Sequence, residues 1–485
     1  MKFKLPLVDI NPDEVKDLDE AKKAINKLLN AFEKLAYQTQ KLAAENEKLR
    51  RENDRLRKQS KKPLFNSRKP KTEDYSASKR MEKRLKQWKK SVKRKKIEID
   101  KEEQLSEAKA CSCGCKKFKT LRTWNKVVQE IEIKRNNIKY LGKDKKCLNC
   151  GKVHRSVIPE CIKGKEFGSN LTTWTSLLKH DCRFSQLLIH KLLITLGIII
   201  SKGQIDNILL ENSKKLEEPY LSLKTLGIRK SQYLHSDPTG FKRRLKKETG
   251  ESETINQHLH FVGHRFLSLF KITKRYNSDT LNNKVLGKQA NNKLYISDDH
   301  GANGQRLTID KKQLGWLHEI RHFLKLKPQF KINKERVDKV INQLWKFYNQ
   351  AKQYSRDPTK EKKKKLIKQF NFITNQKTDY DDLDKRLILT RRKRNRLLLF
   401  LEYPGLPIQN NLAERDLRPA VILRKLSGGT KSEKGDRSFE RHMSIIQTIR
   451  KQGLNVFETL HDLLTNQLNP SVLTVKTTPH IKSFT

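Results

Sequence analysis

An apolar residue recurs every seven positions in the N-terminal part of the chain. The repeat consists of Leu28, Leu35, Leu42, Leu49 and Leu56, and the residues three positions earlier are Ile25, Phe32, Thr39, Asn46 and Asn53. Leucine at each d position with asparagine at two a positions favours a parallel two-stranded coiled coil, in which Glu45 and Glu52 can pair with Arg50 and Arg57 of the partner. We therefore expect residues 1–60 to join two copies of the chain. The alternative is one amphipathic helix packed on its own chain.

Hydrophobic residues are sparse in the next segment, which reads KQSKKPLFNSRKPKTED and then KRMEKRLKQWKKSVKRKK. Charge this dense does not form a core, so we expect a basic linker at residues 61–106. Its cations either lie along nucleic-acid phosphates or are simply solvated.

Residues 161–228 have the apolar spacing of helices. Within them, LITLGIIISKGQIDNILLEN contains an apolar helix, a turn at Gly197 and a second helix that begins at Ser201. Ser201 can cap this second helix, and Lys202 and Gln204 could then reach DNA as in a helix-turn-helix. Ordinary helical packing is the alternative.

Four strand-like runs follow from residue 231, namely SQYLHSD, QHLHFVGHR, FLSLFKIT and KLYISDD. Three strands, a short helical link, a fourth strand and later helices describe an RNase-H-like α/β layer. We expect this domain at residues 229–469, with a helical insertion at about 301–396 and a tail at 470–485.

Acidic residues stand at the ends of two of these strands. Asp237 closes the first run, Asp298 closes the fourth, and Glu414 lies on a short helix in NNLAERDLRP. Three such carboxylates can hold two divalent cations beside a phosphodiester, and oxygen ligands suit Mg²⁺ or Mn²⁺. Asp298 and Asp299 point to opposite faces of a strand, and we expect Asp298 to be the ligand. As alternatives, Asn411 with Glu414 fits a helix cap, and Asp237 fits a turn.

The charge balance indicates a polyanionic partner. Lys and Arg number 107 against 54 Asp and Glu, which leaves a formal charge of +53 on 485 residues. Such a surface binds a phosphate backbone with strong salt dependence, so DNA is the expected partner. A ribosomal-type or membrane-surface protein is disfavoured because it has no use for the strand-end carboxylates.

Several cations lie near Glu414. Arg415 and Arg418 can hold phosphates bidentately, although a structural salt bridge on the helix is the alternative. Residues 423–441, which include Arg424 and Lys425, have the glycines and cations of a flexible phosphate-contacting loop.

Five of the seven cysteines are concentrated in CSCGC and CLNCG, on either side of the alternating stretch VVQEIEIKR, which predicts a strand. Four thiolates in two such turns form a closed, structural Zn²⁺ site, so we expect a zinc-finger domain at residues 107–160. Cys147 and Cys150 are one pair of ligands, and Cys111 and Cys113 are favoured over other choices in the first cluster. A metal-free segment is the alternative.

Neither a secretory signal nor a membrane span is recognisable. The most apolar run, residues 187–200, contains His190 and Lys191 and is too short to cross a bilayer. We expect a cytoplasmic, nucleoid-associated protein with no membrane partner.

Taken in order, these parts resemble a DDE transposase of the insertion-sequence sixty-six family, over nearly the whole chain. The supporting motifs are W-x-H-x-x-R-H in GWLHEIRHF and the highly specific N-N-x-A-E-R-x-L-R-P in NNLAERDLRPAVILRK. The family pattern usually has glutamate after the first aspartate, where this chain has Pro238, and often has cysteine before the tryptophan, where this chain has Gly315.

The resemblance implies a catalytic triad of Asp237, Asp298 and Glu414, and a neighbouring helix on which Trp316, His318 and Arg321 lie, with His318 and Arg321 among the DNA contacts. It implies metal-dependent cleavage at transposon ends and strand transfer into target DNA, in a homo-oligomer and with possible accessory transposition proteins. The alternative function is a catalytically inactive DNA-binding regulator or architectural protein derived from a transposase.

Overall fold

The computed structural model describes most of the chain. It covers residues 17–56, 99–105, 112, 115–116, 119–120, 122–129, 131, 134–157, 163–246, 252–287, 290, 293–298, 311–474, 476 and 478. The chain divides into two compact units, one of residues 1–38 and 133–485 and the other of residues 39–132. Most of the expected basic linker, and Cys111 and Cys113, lie outside the described residues.

The heptad region forms one long helix, α1 (Leu18–Leu56), with Asp19 and Glu20 in the first turn, where acidic side chains suit the helix dipole. The first part of α1 belongs to the larger unit and the rest to the smaller one. In the smaller unit, residues 122–129 and 131 have no regular structure. The strand prediction is therefore wrong for the described part of VVQEIEIKR, where Val127 and Val128 are exposed and lack the pairing that stabilises a strand.

A small antiparallel hairpin, β1 (Lys145–Lys146) and β2 (Val153–His154), holds the second cysteine pair in its turn. Three helices follow: α2 (Ser169–His180), α3 (Gln186–Thr195) and α4 (Lys202–Lys215). They enclose an apolar cluster that includes Ile189, Leu193 and Ile205.

The predicted turn and cap between α3 and α4 are confirmed. Gly197 has a φ of +78°, which a glycine adopts without strain. Ser201 accepts a hydrogen bond from the Gln204 N–H, while the Gln204 side chain accepts one from the Ser201 N–H. The Gln204 side chain also donates to Glu166. Gln204 therefore stabilises the fold, and Lys202 stays exposed beside it.

Helix α5 (Glu217–Ser222) continues through a π-helical turn, Leu223–Gly227, into a five-stranded mixed sheet. Its strands are β3 (Tyr233–Lys246), β4 (Ser252–His264), β5 (Leu267–Thr273), β6 (Leu294–Ser297) and β7 (Lys312–Leu314), in the spatial order β5-β4-β3-β6-β7. Strands β3, β4 and β5 are antiparallel neighbours, whereas β6 and β7 run parallel to β3. A central mixed sheet with surrounding helices is the predicted α+β architecture, but β7 is a strand inside the stretch expected to be helical.

The helices after β7 are α6 (Trp316–Leu324), α7 (Lys331–Tyr354), α8 (Lys360–Thr374) and α9 (Asp381–Arg392). They share one apolar cluster with β6 and β7, in which Trp316, Phe347 and Phe370 are fully buried. Short helical turns then lead to α10 (Asn411–Ser427), α11 (Glu433–Gln452) and α12 (Val456–Leu464). None of the helices in the described part is long and apolar enough to cross a membrane.

Helix α11 covers the edge strand β5. Three side chains one turn apart accept backbone N–H groups of alternate strand residues: Thr448 from Ser268 (3.0 Å), Ser444 from Phe270 (2.9 Å) and Glu440 from Ile272 (2.7 Å). A four-residue helical step of about 6 Å nearly matches a two-residue strand step of about 6.7 Å. The match satisfies backbone donors that would otherwise invite another chain to pair.

Candidate active site

The register of the central strands brings the two predicted aspartates together. β3 and β6 run parallel, with His235 opposite Ile296 and Ser236 opposite Ser297. The next residues along the two strands are Asp237 and Asp298. Because adjacent strands lie about 4.8 Å apart, the two aspartates are neighbours at the point where β6 ends. Asp237 itself lies inside β3, which continues to Lys246 and pairs Asp237 with Phe261 of β4, so the predictions that Asp237 ends its strand or lies in a turn are wrong. Asp299 lies outside the described residues.

Helices α6 and α10 bring three more side chains to this edge. His318 Nε2 lies 3.0 Å from Asp298 Oδ2 and 2.8 Å from Glu414 Oε1, and Arg321 Nη1 lies 3.1 Å from the same Glu414 oxygen. One ligand atom from each of Asp298, His318 and Glu414 lies within 4.8 Å of the other two. Asp237 lies beside this group, close enough for the charges of both carboxylates to affect it. Asp298 and Glu414 thus meet around His318, Asp237 lies within range of their charges, and His318 and Arg321 bind Glu414 directly.

Trp316 anchors the helix that carries these basic groups. Its indole Nε1 donates to the Leu397 carbonyl oxygen at 2.8 Å, its backbone N–H donates to Ile408 at 3.0 Å, and its ring packs 4.6 Å from the Phe347 ring. Buried aromatic contacts of this kind hold a helix start in one orientation. His318 and Arg321 are three residues apart, so they share one face of α6.

Asn410 ties the Glu414 helix to the Asp237 strand. The Asn410 side chain is buried, with its oxygen 3.0 Å from His235 Nδ1 and its nitrogen donating to the Ser236 carbonyl oxygen at 2.9 Å. α10 therefore has no side-chain cap at its first turn, in contrast to the capping alternative for Asn411 and Glu414. No sequence pattern assigned Asn410 a role, although the asparagine doublet before Glu414 was the available signal.

The three ionisable groups at the centre have strongly shifted pKa values. Burial, followed by the negative charges of Asp298 and Glu414, raises the pKa of Asp237 to about 7. Hydrogen bonds to Asp298 and Glu414 raise the pKa of His318 to about 9. The hydrogen bond from His318, with a smaller contribution from Arg321, lowers the pKa of Glu414 to about 2. The site holds three carboxylates but only two basic side chains, His318 and Arg321, so its negative charge is not fully balanced.

The donor set suits a divalent cation. Asp298 and Glu414 present oxygens within 4.8 Å of each other and of a His318 ring nitrogen, Asp237 is close enough for its pKa to respond to both carboxylates, and Asp298 Oδ1 is buried without a hydrogen-bond partner. Carboxylate oxygens are preferred ligands of Mg²⁺ and Mn²⁺, and a buried unpaired oxygen at such a site is a ready ligand atom. Asp237, Asp298 and Glu414 therefore fit the metal that the predicted chemistry requires.

Comparison with known proteins gives this geometry a family. Residues 167–438 match the model of the Transposase IS66 family, and this stretch contains all three acids and both basic groups. The chain belongs to this family. The match confirms the resemblance read from the sequence motifs.

One curated relative of this IS66-family member is an uncharacterized protein, y4jO, of Sinorhizobium fredii (strain NBRC 101917 / NGR234). It is 33% identical over 171 residues, which are 35% of this chain and 52% of the relative. The chain thus spans about half the length of the curated relative that it matches.

The two departures from the family pattern fit their surroundings. Pro238 lies just beyond the last β3–β6 pair, so it has a paired strand on one side only, as proline requires in a sheet. At Gly315, an added Cβ would lie 3.3 Å from Asp298 Oδ1 and 3.4 Å from the Asn410 nitrogen. A larger residue there would press on Asp298.

The other predicted DNA-binding residues lie on two helices. Arg415, Arg418 and Lys425 are exposed on α10, and the Arg415 guanidinium lies 3.3 Å from Asp416. Arg424, on the same helix, is half-buried and donates to Thr239 Oγ1 at 3.1 Å. Arg415 and Arg424 therefore already have intramolecular partners. Lys202 lies on the other helix, α4.

The expected phosphate loop at residues 423–441 is largely helical. Residues 423–427 complete α10 and residues 433–441 begin α11, so only 428–432 connect them. In this connection Gly429 has a φ of +105°, and an added Cβ would lie 2.0 Å from the Lys242 carbonyl oxygen. The glycines permit a tight approach to β3, and the prediction of a long flexible loop is wrong.

The second cysteine pair forms a tight turn. The Cys147 N–H donates to the Lys152 carbonyl oxygen at 2.8 Å, the Gly151 N–H donates to the Cys147 carbonyl oxygen at 2.9 Å, and Gly151 has a φ of +70°. Backbone hydrogen bonds from Cys150 and Asn149 lower the pKa of the Cys147 thiol. Donors aimed at a sulfur favour the thiolate, which is the form that binds metals.

Proposed function

We propose that this protein is a transposase that cuts DNA at the ends of its element and joins the freed ends to target DNA. The observation that carries this proposal is the convergence of Asp237, Asp298 and Glu414 at one sheet edge in a member of the IS66 family. The order and directions of the strands support an RNase-H-like catalytic domain at residues 229–469. The helices α7 to α9 support the expected insertion.

Asp237, Asp298 and Glu414 would hold Mg²⁺ or Mn²⁺ through their oxygens. When bound, two such ions activate the attacking oxygen of a phosphodiester cleavage and stabilise the leaving oxygen. Asp237 has to release its proton to act as a ligand, and its pKa of about 7 makes this inexpensive at neutral pH. Hydrolysis breaks the bond between phosphorus and the 3′ oxygen, which leaves a 3′-hydroxyl on one side of the nick and a 5′-phosphate on the other side, in the same strand. The 3′-hydroxyl then attacks a target phosphodiester and displaces its 3′ oxygen.

The basic groups beside the acids have two tasks in this proposal. His318 and Arg321 hold the Glu414 carboxylate in place through direct hydrogen bonds. Arg321 is half exposed, and we assign it, with His318 and the cations Arg415, Arg418, Arg424 and Lys425 on α10, to contacts with DNA phosphates.

Other parts of the chain would bind DNA or assemble the complex. Lys202 is exposed at the start of α4, as a helix-turn-helix contact requires. The turn at Cys147 and Cys150 supports a structural Zn²⁺ site completed by Cys111 and Cys113. The heptads of α1 support a homo-oligomer, and we expect accessory transposition proteins to act with it on nucleoid DNA.

A strand-cleavage assay tests the proposed activity. The substrates are DNA duplexes that carry the inverted repeats flanking the gene, with Mg²⁺ present. The wild-type protein should nick these ends, and Asp237→Asn and Glu414→Gln should each abolish nicking while binding to the same DNA persists. Glu402→Gln is the matched control, because it removes an exposed carboxylate of the same unit.

The outcomes separate the two functions considered. Nicking by both triad variants at the wild-type rate would overturn the proposal. Binding without any nicking by the wild-type protein would support the inactive regulator or architectural protein instead.

A further inference from the structure

Helix α1 contacts the catalytic unit through polar side chains. Asn30 donates to the Asp379 carbonyl oxygen at 3.1 Å and accepts from the Asp381 N–H at 3.0 Å, and Lys34 forms a 2.7 Å ion pair with Asp381. Asp379 has a left-handed φ of +57°, so Asn30 bonds on both sides of a tight turn. These contacts attach α1 to the turn before α9.

Glu33 is the centre of this contact. It is only 4% exposed, and its carboxylate accepts the N–H groups of Gln329 (2.9 and 2.8 Å to its two oxygens) and Phe330 (3.0 Å), together with the Asn333 amide (3.2 Å). Helix α7 begins at this point with no cap from its own N-cap residue and no acidic residue in its first turn. Glu33 therefore supplies the carboxylate that the start of α7 lacks.

The heptad register shows which face of α1 makes these contacts. With Leu28 and Leu35 at d, Glu33 occupies a b position, Asn30 an f position and Lys34 a c position. Asn26, which accepts a hydrogen bond from Arg336 at 3.1 Å, is also at b. The b, c and f positions lie opposite the a/d seam of a coiled coil. The seam residues Ile25, Leu28 and Phe32 are 56%, 42% and 56% exposed. Docking on the catalytic unit thus leaves the apolar seam accessible.

We propose that α1 works with two faces at once, one fixed to its own catalytic unit through Glu33 and the other paired with α1 of a second copy. A second copy fits the seam because the leucine repeat extends over five heptads, with Asn46 and Asn53 to set the register. Glu45 and Arg50 add charge complementarity between the two helices.

This arrangement connects pairing to the catalytic centre. α7, which Glu33 caps, shares an apolar cluster with α6 through Ile320, Phe323 and Val340. α6 carries His318 and Arg321. The coiled coil would therefore hold each catalytic unit through a capped helix. The inference rests on the self-association proposed above and makes no use of strand cleavage.

Amide hydrogen exchange at Gln329 and Phe330, combined with the molar mass from light scattering, tests both faces. Glu33→Ala should leave the protein dimeric and speed exchange at these amides about tenfold, the loss expected for a missing cap. Glu47→Ala is the matched control, because Glu47 is an exposed acid at the same heptad position, b, as Glu33 on the same helix. It should change neither quantity.

A seam variant completes the test. Leu28→Glu with Leu42→Glu should give a monomer in which exchange at Gln329 and Phe330 stays slow. A dimeric seam variant would overturn the pairing face, and fast exchange in the monomer would show that Glu33 reaches the partner copy instead. Unchanged exchange in Glu33→Ala would overturn the docking face. If the seam variant does not fold, exchange at Gln329 and Phe330 is measured in wild-type protein diluted until it is monomeric, and the same two outcomes apply.

Discussion

Two carboxylates of the larger unit, the partly buried Asp237 and the buried Glu319, have opposite surroundings. Asp237 faces Asp298 and Glu414, and burial together with their negative charges raises its pKa to about 7. Glu319, on α6, is only 2% exposed, yet its pKa is lowered from its ordinary value. Burial alone would raise the pKa of Glu319, so its neighbours outweigh burial.

Those neighbours are cations and a hydroxyl supplied by α9 and the residue after it. Arg386 forms an ion pair with Glu319, Thr390 Oγ1 donates to it at 2.6 Å, and Lys393 Nζ lies 3.3 Å from it. A matched charge of this kind belongs to the fold, whereas the unmatched acids at the sheet edge retain ligand capacity for an added cation. The surroundings of an acid thus distinguish a structural carboxylate from a functional one.

The largest expected effect comes from Asp237→Asn. Cleavage should fall on the order of a thousandfold or more, as when a group that acts on the transition state is removed. The stability of the Asp237→Asn variant should instead increase. A carboxyl whose pKa is raised from 3.8 to about 7 in the folded state lowers the unfolding free energy as the pH rises through that window. With a chelator present, the variant should therefore gain in melting temperature over the wild type at pH 8 but not at pH 4, and equal differences at both values would break the comparison.

Glu319→Gln should act on folding first. It leaves Arg386 and Lys393 without their buried partner, which typically costs about 3–5 kcal/mol of unfolding free energy. Urea unfolding measures this loss, with the half-exposed Asp382→Asn on α9 as the control. A variant as stable as the wild type would show that the ion pairs of Glu319 contribute nothing net.

Asn410→Ala tests the link between the two regions of the site. The change leaves His235 Nδ1 and the Ser236 carbonyl oxygen without a partner, which costs about 1–3 kcal/mol. Cleavage should also fall about ten- to a hundredfold, because the relative position of Asp237 and Glu414 relaxes. Asn410→Asp retains one acceptor oxygen and should recover part of the stability. Full cleavage by Asn410→Ala would rule out a positioning role.

The smallest effect concerns buried histidines, which are kept neutral. Burial lowers the pKa values of His235, His260 and His442 to about 4 and that of His264 to about 3. A histidine whose pKa is lowered in the folded state destabilises the folded protein as the pH falls below the pKa of the unfolded state, about 6.5.

Between pH 6.5 and 5 the unfolding free energy should therefore fall, by up to about 1.4 kcal/mol per pH unit for each histidine. Measurement in the Asp237→Asn background removes the opposing contribution of that carboxyl. His442→Gln should flatten the slope, whereas the exposed His154→Gln should leave it unchanged. An identical slope for His442→Gln would contradict the assignment.

Local patterns predicted much of the catalytic layer. Apolar runs before Asp237 and Asp298, and the motif around Glu414, were enough to expect convergence, but β3 continues past Asp237 to Lys246, and it is the parallel register of β3 with β6 that makes the two aspartates neighbours. The Ser201 cap was readable because a capping box involves residues only three apart.

Contacts between residues far apart in the chain were not predicted from the sequence. The binding of Glu414 by His318 and Arg321, the buried bonds of Asn410 and the docking of Glu33 on α7 all join segments distant in the chain. The strand β7 is only three residues long and lacks a distinctive pattern. The supposed loop at residues 423–441 is helical because Ser432 caps α11, accepting the Gly435 N–H, and the glycines before it form a short connection.

Helix α10 and the residues that flank it are hydrogen-bonded to strand β3 at three points. Asn410 binds near the start of the helix, Arg424 reaches Thr239 farther along, and Thr430 pairs with the far end of the strand by accepting the Arg244 N–H at 2.8 Å. Strand β3, which contains Asp237, and helix α10, which contains Glu414, are thus held in a fixed relative position. His318 and Arg321 reach Glu414 from a different element, α6, and through side-chain contacts alone, so a change of rotamer at either residue would leave the attachment of α10 to β3 intact.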